Sequence, residues 1–532
     1  MSKAHSNLLE SNEELRVLNR GLHARIDILE EQNRLLRHQQ FAPSSEKSVP
    51  EQQGHLFDEA EETAEDGTET EDDIGEIAVP AHTRKKGGRR SLSEDLPRVR
   101  IEHDIPEEQK LCACGCGLMS RIGEEVTEQL DIIPAKIQVL QHVRFKYACK
   151  SCEEGVTIAP LPPQPIPKSI ASPGLLAYIV TGKYVDGLPL YRMVPVLNRS
   201  GIEFNRTLLS RWVIKCGDLV QPLINLFTDH LLNYDIIAMD ETGVQVLKEP
   251  GKKPQSKSYM WGQKGGPPDQ PVILFHYDPS RGEHVAKGLL EDYTGYLVSD
   301  GYQVYLNVTS DSTIVGVGCM AHVRRKFNDV IKALEKSKKR KPGLADHAMK
   351  AIRSLYRIEK LAKDMSNHER QRLREEKAKP ILEDLREWIT KVISTTPPTS
   401  LLGKALHYID KQWPRLIRYL DDGRLPIDNN EMERVIKPFV IGRKNWLFSN
   451  SQNGAKASAN LYGIVETAKA NGIEPYSYLR HIFTELPKAQ TVEDFEALLP
   501  WNVDRMFSDN NLGRLRQPPW PVDLIIKKGV PV

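Results

Sequence analysis

The chain has 532 residues, enough for about three to four domains of ordinary size. Its 73 basic and 72 acidic residues leave a formal charge of +1, which excludes binding to polyanions through bulk charge alone. It has no apolar run of the ~18 residues that would span a membrane and no apolar leader segment near Met1, so a cytoplasmic protein with no membrane partner is expected. Five of the 7 cysteines crowd between Cys112 and Cys152, which suits one small metal site better than a secreted disulfide scaffold.

Leu8, Leu15, Leu22, Leu29 and Leu36 recur every seven residues. At d positions they leave Asn12, Asn19, Ile26 and Asn33 at a, a parallel coiled-coil pattern whose polar a residues fix register at a cost in stability. A single amphipathic helix packed on its own chain fits the same residues, but five evenly spaced leucines favour self-association through a leucine zipper over residues 1–41. Residues 42–104 read as a disordered linker, acidic in EQQGHLFDEAEETAEDGTETEDDIGE and then basic in TRKKGGRR. Arg89 and Arg90 of the basic run are candidate nucleic-acid contacts, screened in cis by the acidic run or simply solvated beside it.

Residues 105–160 are strand-rich and carry Cys112, Cys114 and Cys116 at one end and Cys149-x-x-Cys152 at the other. Two such knuckles can bring four thiolates around one structural Zn²⁺, whose binding supplies folding free energy to a module too small to hold itself together by burial. Cys112 and Cys116 are taken with Cys149 and Cys152, and Cys114 can replace either member of the first pair. Over residues 170–230 the periodicity predicts helices near 173–182, 189–198 and 206–220, with Gly201 in a turn and Asn205 or Thr207 as a cap. This pattern fits a helix-turn-helix with Arg192, Arg199, Arg206 and Arg211 facing DNA, and fits a plain helical packing domain equally.

From residue 234 strands come first and strand–helix units follow, which predicts an α/β core over 234–330 and 425–450 of the ribonuclease-H-like kind. YDIIAMDET reads as a strand ending in Asp240, VQVLKE as a second short strand, and YLVSDGYQVY as a strand ending in Asp300. Open α/β sheets build sites at the carboxyl ends of their strands. A helix beginning near Asn430 carries Glu433 one turn in, with Ile436 and Val440 to anchor it. Laid across the sheet edge, that helix would bring a third carboxylate to two aspartates, an all-oxygen set suited to two Mg²⁺ ions, with Mn²⁺ able to substitute. Residues 331–424 read as an all-helical insertion, and 451–532 as a C-terminal helical segment and tail. Cys319 and His322 sit where a strand meets a basic helix, and they read as shaping the site or touching DNA rather than holding a metal. His322, Arg324, Arg325 and Lys326, and then Arg434, Lys437, Arg443 and Lys444 around Glu433, are candidate phosphate contacts. Trp446 fits a base-stacking platform or the core.

The segments FAPSSEK, GGRRSLSEDLPR, RIGEEVTEQLDIIPAKIQV, AMDET, GYLVSDGYQVY, GCMAHVRRKF, IDNNEMERVIKPFVIGRKNWLFSN and ANLYGIVETAKANGIEPYSYLRHIFTELP span nearly the whole chain. Together they resemble the DDE-type transposases of the bacterial insertion-sequence sixty-six family. The resemblance implies a catalytic triad of Asp240, Asp300 and Glu433, an N-terminal zipper, a zinc module before the core, and two small accessory proteins from the same element. The first cysteine knuckle departs from the family's CxxCG pattern, reading CACGCG here. The implied activity is Mg²⁺-dependent cleavage at element ends followed by transfer of the freed 3′-hydroxyl into double-stranded target DNA. A nuclease without strand transfer, or a zinc- and zipper-containing DNA-binding regulator without activity, are the alternatives from other classes.

Overall fold

A computed structural model describes Arg25 and residues 98–503 apart from 113–117, 134–135, 150–154, 200, 311–312 and 335–342. The expected zipper, Arg89, Arg90, Cys114, Cys116 and Cys152 therefore lie outside the described residues. The chain divides into two compact units. One gathers Leu92–Phe227, Pro267–Leu274 and Ala457–Val532, and the other contains Thr228–Gly266 and Phe275–Lys456.

The first of these units opens with strands β1 (Arg98–His103), β2 (Ser120–Ile133), β3 (Lys136–Ala148) and β4 (Val156–Ile158). β2 and β3 form a long antiparallel hairpin, β1 runs parallel to β3, and β4 pairs with the end of β3. The strand β1 corrects the expectation of linker through residue 104, because its alternating RVRIEH pairs with Val139–Arg144. Val143, Phe145 and Tyr147 alternate onto one face and pack with Ile105 and Ala159 in a core of few side chains, as expected of a module that depends on a further staple.

Helices α1 (Pro173–Tyr184), α2 (Leu190–Asn198), α3 (Arg206–Leu219) and α4 (Gln221–Leu232) follow, within two residues of expectation for the first three. Local chemistry sets these ends. Ser172 Oγ accepts from the Leu175 N–H at 3.2 Å to cap α1, and the Asn205 side chain accepts from the Leu208 N–H at 2.8 Å to cap α3. Gly201 turns between α2 and α3 at φ +85°, a conformation that suits glycine. Arg192, Arg199, Arg206 and Arg211 are exposed.

The second unit is built on a sheet of strand order β7-β6-β5-β8-β9, with β5 (Ile236–Lys248), β6 (Lys257–Gly265), β7 (Val272–Asp278), β8 (Tyr296–Val298) and β9 (Val315–Val317). Helices α5 (Glu283–Leu289) and α6 (Gln303–Ser310) connect the later strands. β5 is antiparallel to β6 and parallel to β8, and β8 is parallel to β9. The helical stretch comprises α7 (Met320–Leu334), α8 (Leu344–Leu361), α9 (Asn367–Leu373), α10 (Lys379–Ile393) and α11 (Leu401–Leu416), and it returns through α12 (Asn430–Trp446) to β10 (Phe448–Ser451). Apolar residues at helical spacing, such as Val323, Phe327 and Val330 or Leu382, Leu385 and Ile389, share one core with Val298 and Val317 of the sheet. The insertion is thus a packed layer on the sheet. Within it Arg374 is wholly buried, donating to both oxygens of Glu359 at 2.9 and 2.7 Å and to the carbonyls of Tyr419 and Asp422.

The C-terminal helices α13 (Gln452–Ala470), α14 (Pro475–Glu485) and α15 (Val492–Glu496) end the described chain. From Ala457 onward they belong with the cysteine-bearing sheet and the helical segment rather than forming a separate region. α1 packs on both α14 and β2, Tyr184 and Ser458 hydroxyls meet at 3.1 Å, and Gly217 lets α3 approach Ala457 so closely that a Cβ would lie 2.6 Å from its backbone.

Candidate active site

The sheet register brings Asp240 and Asp300 together. Ala238 of β5 is paired with Val298 of β8, the last residue of that strand. Each aspartate stands two residues beyond this pair along its own chain, and the charge of Asp300 reaches the Asp240 carboxyl. Two expectations are corrected here. β5 does not stop at Asp240 but runs through 13 residues, because β6 pairs with it continuously from Ala238 to Gln245. Asp300 does not close its strand but follows it, and its Oδ1 accepts the Tyr302 N–H at 2.9 Å in the turn towards α6.

On the edge of β5 that β8 leaves at Ala238, the next parallel partner is β10, which enters at Gln245. The interval between them lies against α12. Asn429 donates to the Met239 carbonyl at 3.0 Å, and Arg443 donates to the Gly243 carbonyl and to Thr242 Oγ1 at 3.2 Å. These bonds satisfy strand carbonyls that lack a neighbouring strand. On the sheet side, Gly262 of β6 is opposite Asp240 in register, and a Cβ there would lie 2.5 Å from Met432 and 3.2 Å from Ile436. The absence of a side chain lets α12 cross close to the sheet and carry Glu433 to the aspartates.

Burial pushes the Asp240 carboxyl up to about 7, reinforced by the negative charges of Glu241 and Asp300 and, more weakly, of Glu433. Asp300 and Glu433 therefore both lie within electrostatic reach of Asp240. Two cations face Glu433 from the first turn of α7, Arg325 at 3.7 Å and, when protonated, His322 at 3.9 Å. Among the described residues no three His, Cys, Asp or Glu side chains are grouped closely enough to hold a metal ion. The chemistry of the three carboxylates nevertheless fits a hard divalent cation. They are all oxygen donors, and their mutual repulsion is what a cation would relieve.

Several residues escaped sequence reasoning. Glu241 has a side chain only 2% exposed, held by Arg281 Nε at 2.8 Å and by the Tyr305 hydroxyl at 2.5 Å. Arg415, from α11, donates to the Asp300 carbonyl at 3.0 Å and to Ser299 Oγ at 2.7 Å. Asn429 was visible only as a residue before a helix. An Arg inside an amphipathic helix and an Asn in a capping position carry no local signal of such long-range bonds.

Among the candidate DNA contacts, Arg324, Arg325, Lys326, Arg434, Lys437 and Lys444 are exposed. Arg443 differs: it is turned inward onto β5, and burial lowers its pKa. Trp446 is half-buried. Cys319 is buried, its Sγ accepts the Asn429 N–H at 3.2 Å, and burial pushes its thiol up to about 11. Its burial and its bond to the Asn429 N–H give Cys319 a structural part at the start of α7. In the other unit, Leu111, beside Cys112, forms an isolated antiparallel bridge with Leu118, and Cys149 is buried just after β3.

Residues 168–457 match the model of the Transposase IS66 family. Flanking segments match three further models: residues 109–153 the zinc-finger binding domain of transposase IS66, residues 464–501 the IS66 C-terminal element, and residues 28–101 that described as Transposase C of IS166 homeodomain. The chain is also similar to uncharacterized proteins of Sinorhizobium fredii. The protein y4jD is 30% identical over 82% of this chain and 89% of its own length, and y4qI is 31% identical over 85% and 84%. No helix among the described residues is long and apolar enough to cross a membrane.

Proposed function

The chain belongs to the Transposase IS66 family and is a DDE-type enzyme of DNA transposition, and we propose that Asp240, Asp300 and Glu433 are its catalytic carboxylates. The observation that carries this reading is the shared register of the two aspartates beyond the Ala238–Val298 pair, with Glu433 delivered from α12. The strand order β7-β6-β5-β8-β9, antiparallel between β5 and β6 and parallel across β5-β8-β9, supports a ribonuclease-H-like core.

The three carboxylates would hold two Mg²⁺ ions, with Mn²⁺ as a substitute. Bound there, they would supply the positive charge that stabilises negative charge developing on the oxygens during phosphoryl transfer. The chain's own residues bind and orient. Asp240 and Asp300 fix one side of the site through the sheet, and Glu433 closes it from the helix. Arg325 and His322 face Glu433 from α7, and Arg325 adds positive charge beside the site that would receive the scissile phosphate. Arg434, Lys437 and Lys444 share the outward stripe of α12, at helical spacing from Glu433's turn, and serve as a phosphate track, with Arg324 and Lys326 on α7. In the first step a phosphodiester at the element end is hydrolysed and a 3′-hydroxyl is released. In the second, that hydroxyl attacks a target phosphodiester, so one bond is exchanged for another with no protein nucleophile.

The remaining assignments follow the family. Cys112, Cys116, Cys149 and Cys152 hold one Zn²⁺, with Cys114 able to replace one of the first pair. The leucine repeat joins chains, α3 presents Arg206 and Arg211 to DNA, and two small accessory proteins complete the machinery. The test is Mg²⁺-dependent nicking and joining of a labelled end duplex, with binding followed separately. Asp240→Asn, Asp300→Asn and Glu433→Gln should each abolish both steps while retaining duplex binding. Wild-type cleavage by Glu433→Gln refutes the triad, and cleavage without joining in the unaltered protein identifies a nuclease instead.

A further inference from the structure

Asn429 is 2% exposed and precedes α12, and each of its polar backbone groups and its amide nitrogen has a partner in a different element. Its carbonyl accepts the Glu433 N–H at 3.1 Å, within the first turn of α12. Its Nδ2 donates at 3.0 Å to the carbonyl of Met239, the residue before Asp240. Its own N–H donates at 3.2 Å to Cys319 Sγ, at the junction of β9 with α7, three residues before His322. One residue therefore touches the backbone of Glu433, the peptide leading into Asp240, and the start of the helix whose His322 and Arg325 face Glu433.

We propose that Asn429 and Cys319 form a positioning clamp that sets the distance and orientation of Glu433 relative to Asp240. The proposal rests on the reading of these carboxylates as one divalent-cation set. Nothing else described bonds the Met239 carbonyl in place of a strand, so without Nδ2 a buried acceptor is left open and α12 loses its tether to β5. The chemistry demands an amide at this position. An Asp would turn an acceptor onto the Met239 carbonyl, and a Leu would supply no donor. The Cys319 thiol accepts the Asn429 N–H at 3.2 Å, a distance at which a hydroxyl oxygen could also accept it. Neither residue touches the reacting atoms. Their part is to hold the ligands in a geometry that a cation can bridge, as outer-shell groups do in metal sites.

The experiment uses the full chain and Mn²⁺ as the probe, with free Mn²⁺ followed by electron paramagnetic resonance in the absence of DNA. Thermal unfolding and end-duplex binding are measured alongside. Asn429→Ala is expected to raise the half-saturating Mn²⁺ concentration by about tenfold or more and to slow cleavage by about 10–100-fold. Duplex affinity should stay within about twofold, because the phosphate contacts lie elsewhere. Cys319→Ser keeps an acceptor and should bind Mn²⁺ nearly as the unaltered chain does, whereas Cys319→Ala should move in the direction of Asn429→Ala. If Asn429→Ala does not fold, Asn429→Ser together with the two Cys319 variants gives the same comparison. Asp240→Asn separates the two readings. Undiminished Mn²⁺ binding by Asp240→Asn overturns the carboxylate assignment itself. Loss of binding in Asp240→Asn with unchanged binding and cleavage in folded Asn429 variants overturns the clamp alone. A fall in unfolding temperature and duplex binding with no separate change in Mn²⁺ affinity also overturns it, as does a Cys319→Ser chain that loses the ion as fully as Cys319→Ala.

Discussion

Replacing Arg415 by Met tests whether the helical insertion braces the active site. Arg415 is 8% exposed, and its guanidinium donates to the Asp300 carbonyl at 3.0 Å, to Ser299 Oγ at 2.7 Å and to Gln412 Oε1 at 3.3 Å. Met has a similar length and no charge, so the substitution removes the donors with little change in volume. The Val317 carbonyl keeps the Ser299 N–H at 3.1 Å, and the Asp300 carbonyl keeps the Ser299 hydroxyl, which already donates to it at 3.4 Å. The loss is therefore about two hydrogen bonds from a charged donor, each worth roughly 1.5–3 kcal/mol. Against this, a buried cation no longer has to be desolvated, which returns a part of the cost. A net destabilisation of about 2–4 kcal/mol follows, or on the order of 5–15 °C in unfolding temperature for a unit of roughly 200 residues. Because the missing bonds include one to the peptide of Asp300, cleavage should fall further than the folded fraction does. Arg415→Lys keeps the charge without the planar fork and should recover only part of both losses. The assay is thermal unfolding of the full chain with end-duplex cleavage measured well below the transition. An unfolding temperature within about 2 °C of the unaltered protein, together with unchanged cleavage, would refute the bracing argument.

Gly262→Val should push α12 off the sheet, since a Cβ at this position meets Met432 at 2.5 Å. Overpacking of this kind costs about 1–3 kcal/mol, and a crystal structure of the variant should show Glu433 displaced from Asp240; an unmoved helix would contradict the close-crossing account. Glu431 pairs with Lys264 on the exposed side of α12. Glu431→Gln should therefore keep nearly full cleavage where Glu433→Gln has none, and combining two triad substitutions should cost little more than one. Elemental analysis of the full chain should give about one zinc. Cys149→Ser or Cys152→Ser should lose it, while serine placed in turn at Cys112, Cys114 and Cys116 should leave the metal content intact at the thiol that is not a ligand.

Local chemistry made much of this legible from the amino-acid sequence. The helices α1 to α3 began and ended where caps, a glycine turn and apolar spacing indicated, because those signals act over three or four residues. The same holds for the start of α12 near Asn430. Pairing and burial are not local, and they decided the rest. β5 continued through Asp240 because β6 lay beside it, and Arg98–His103 became a strand because β3 offered it an edge. Arg443, placed by its charge among the DNA contacts, turned inward because the Gly243 carbonyl had no strand to bond. Asn429 reaches a carbonyl 190 positions away and Arg415 one 115 positions away. Both rest on hydrogen bonds whose need arises only after the sheet has left those carbonyls buried, so only the tertiary structure could assign either residue its place.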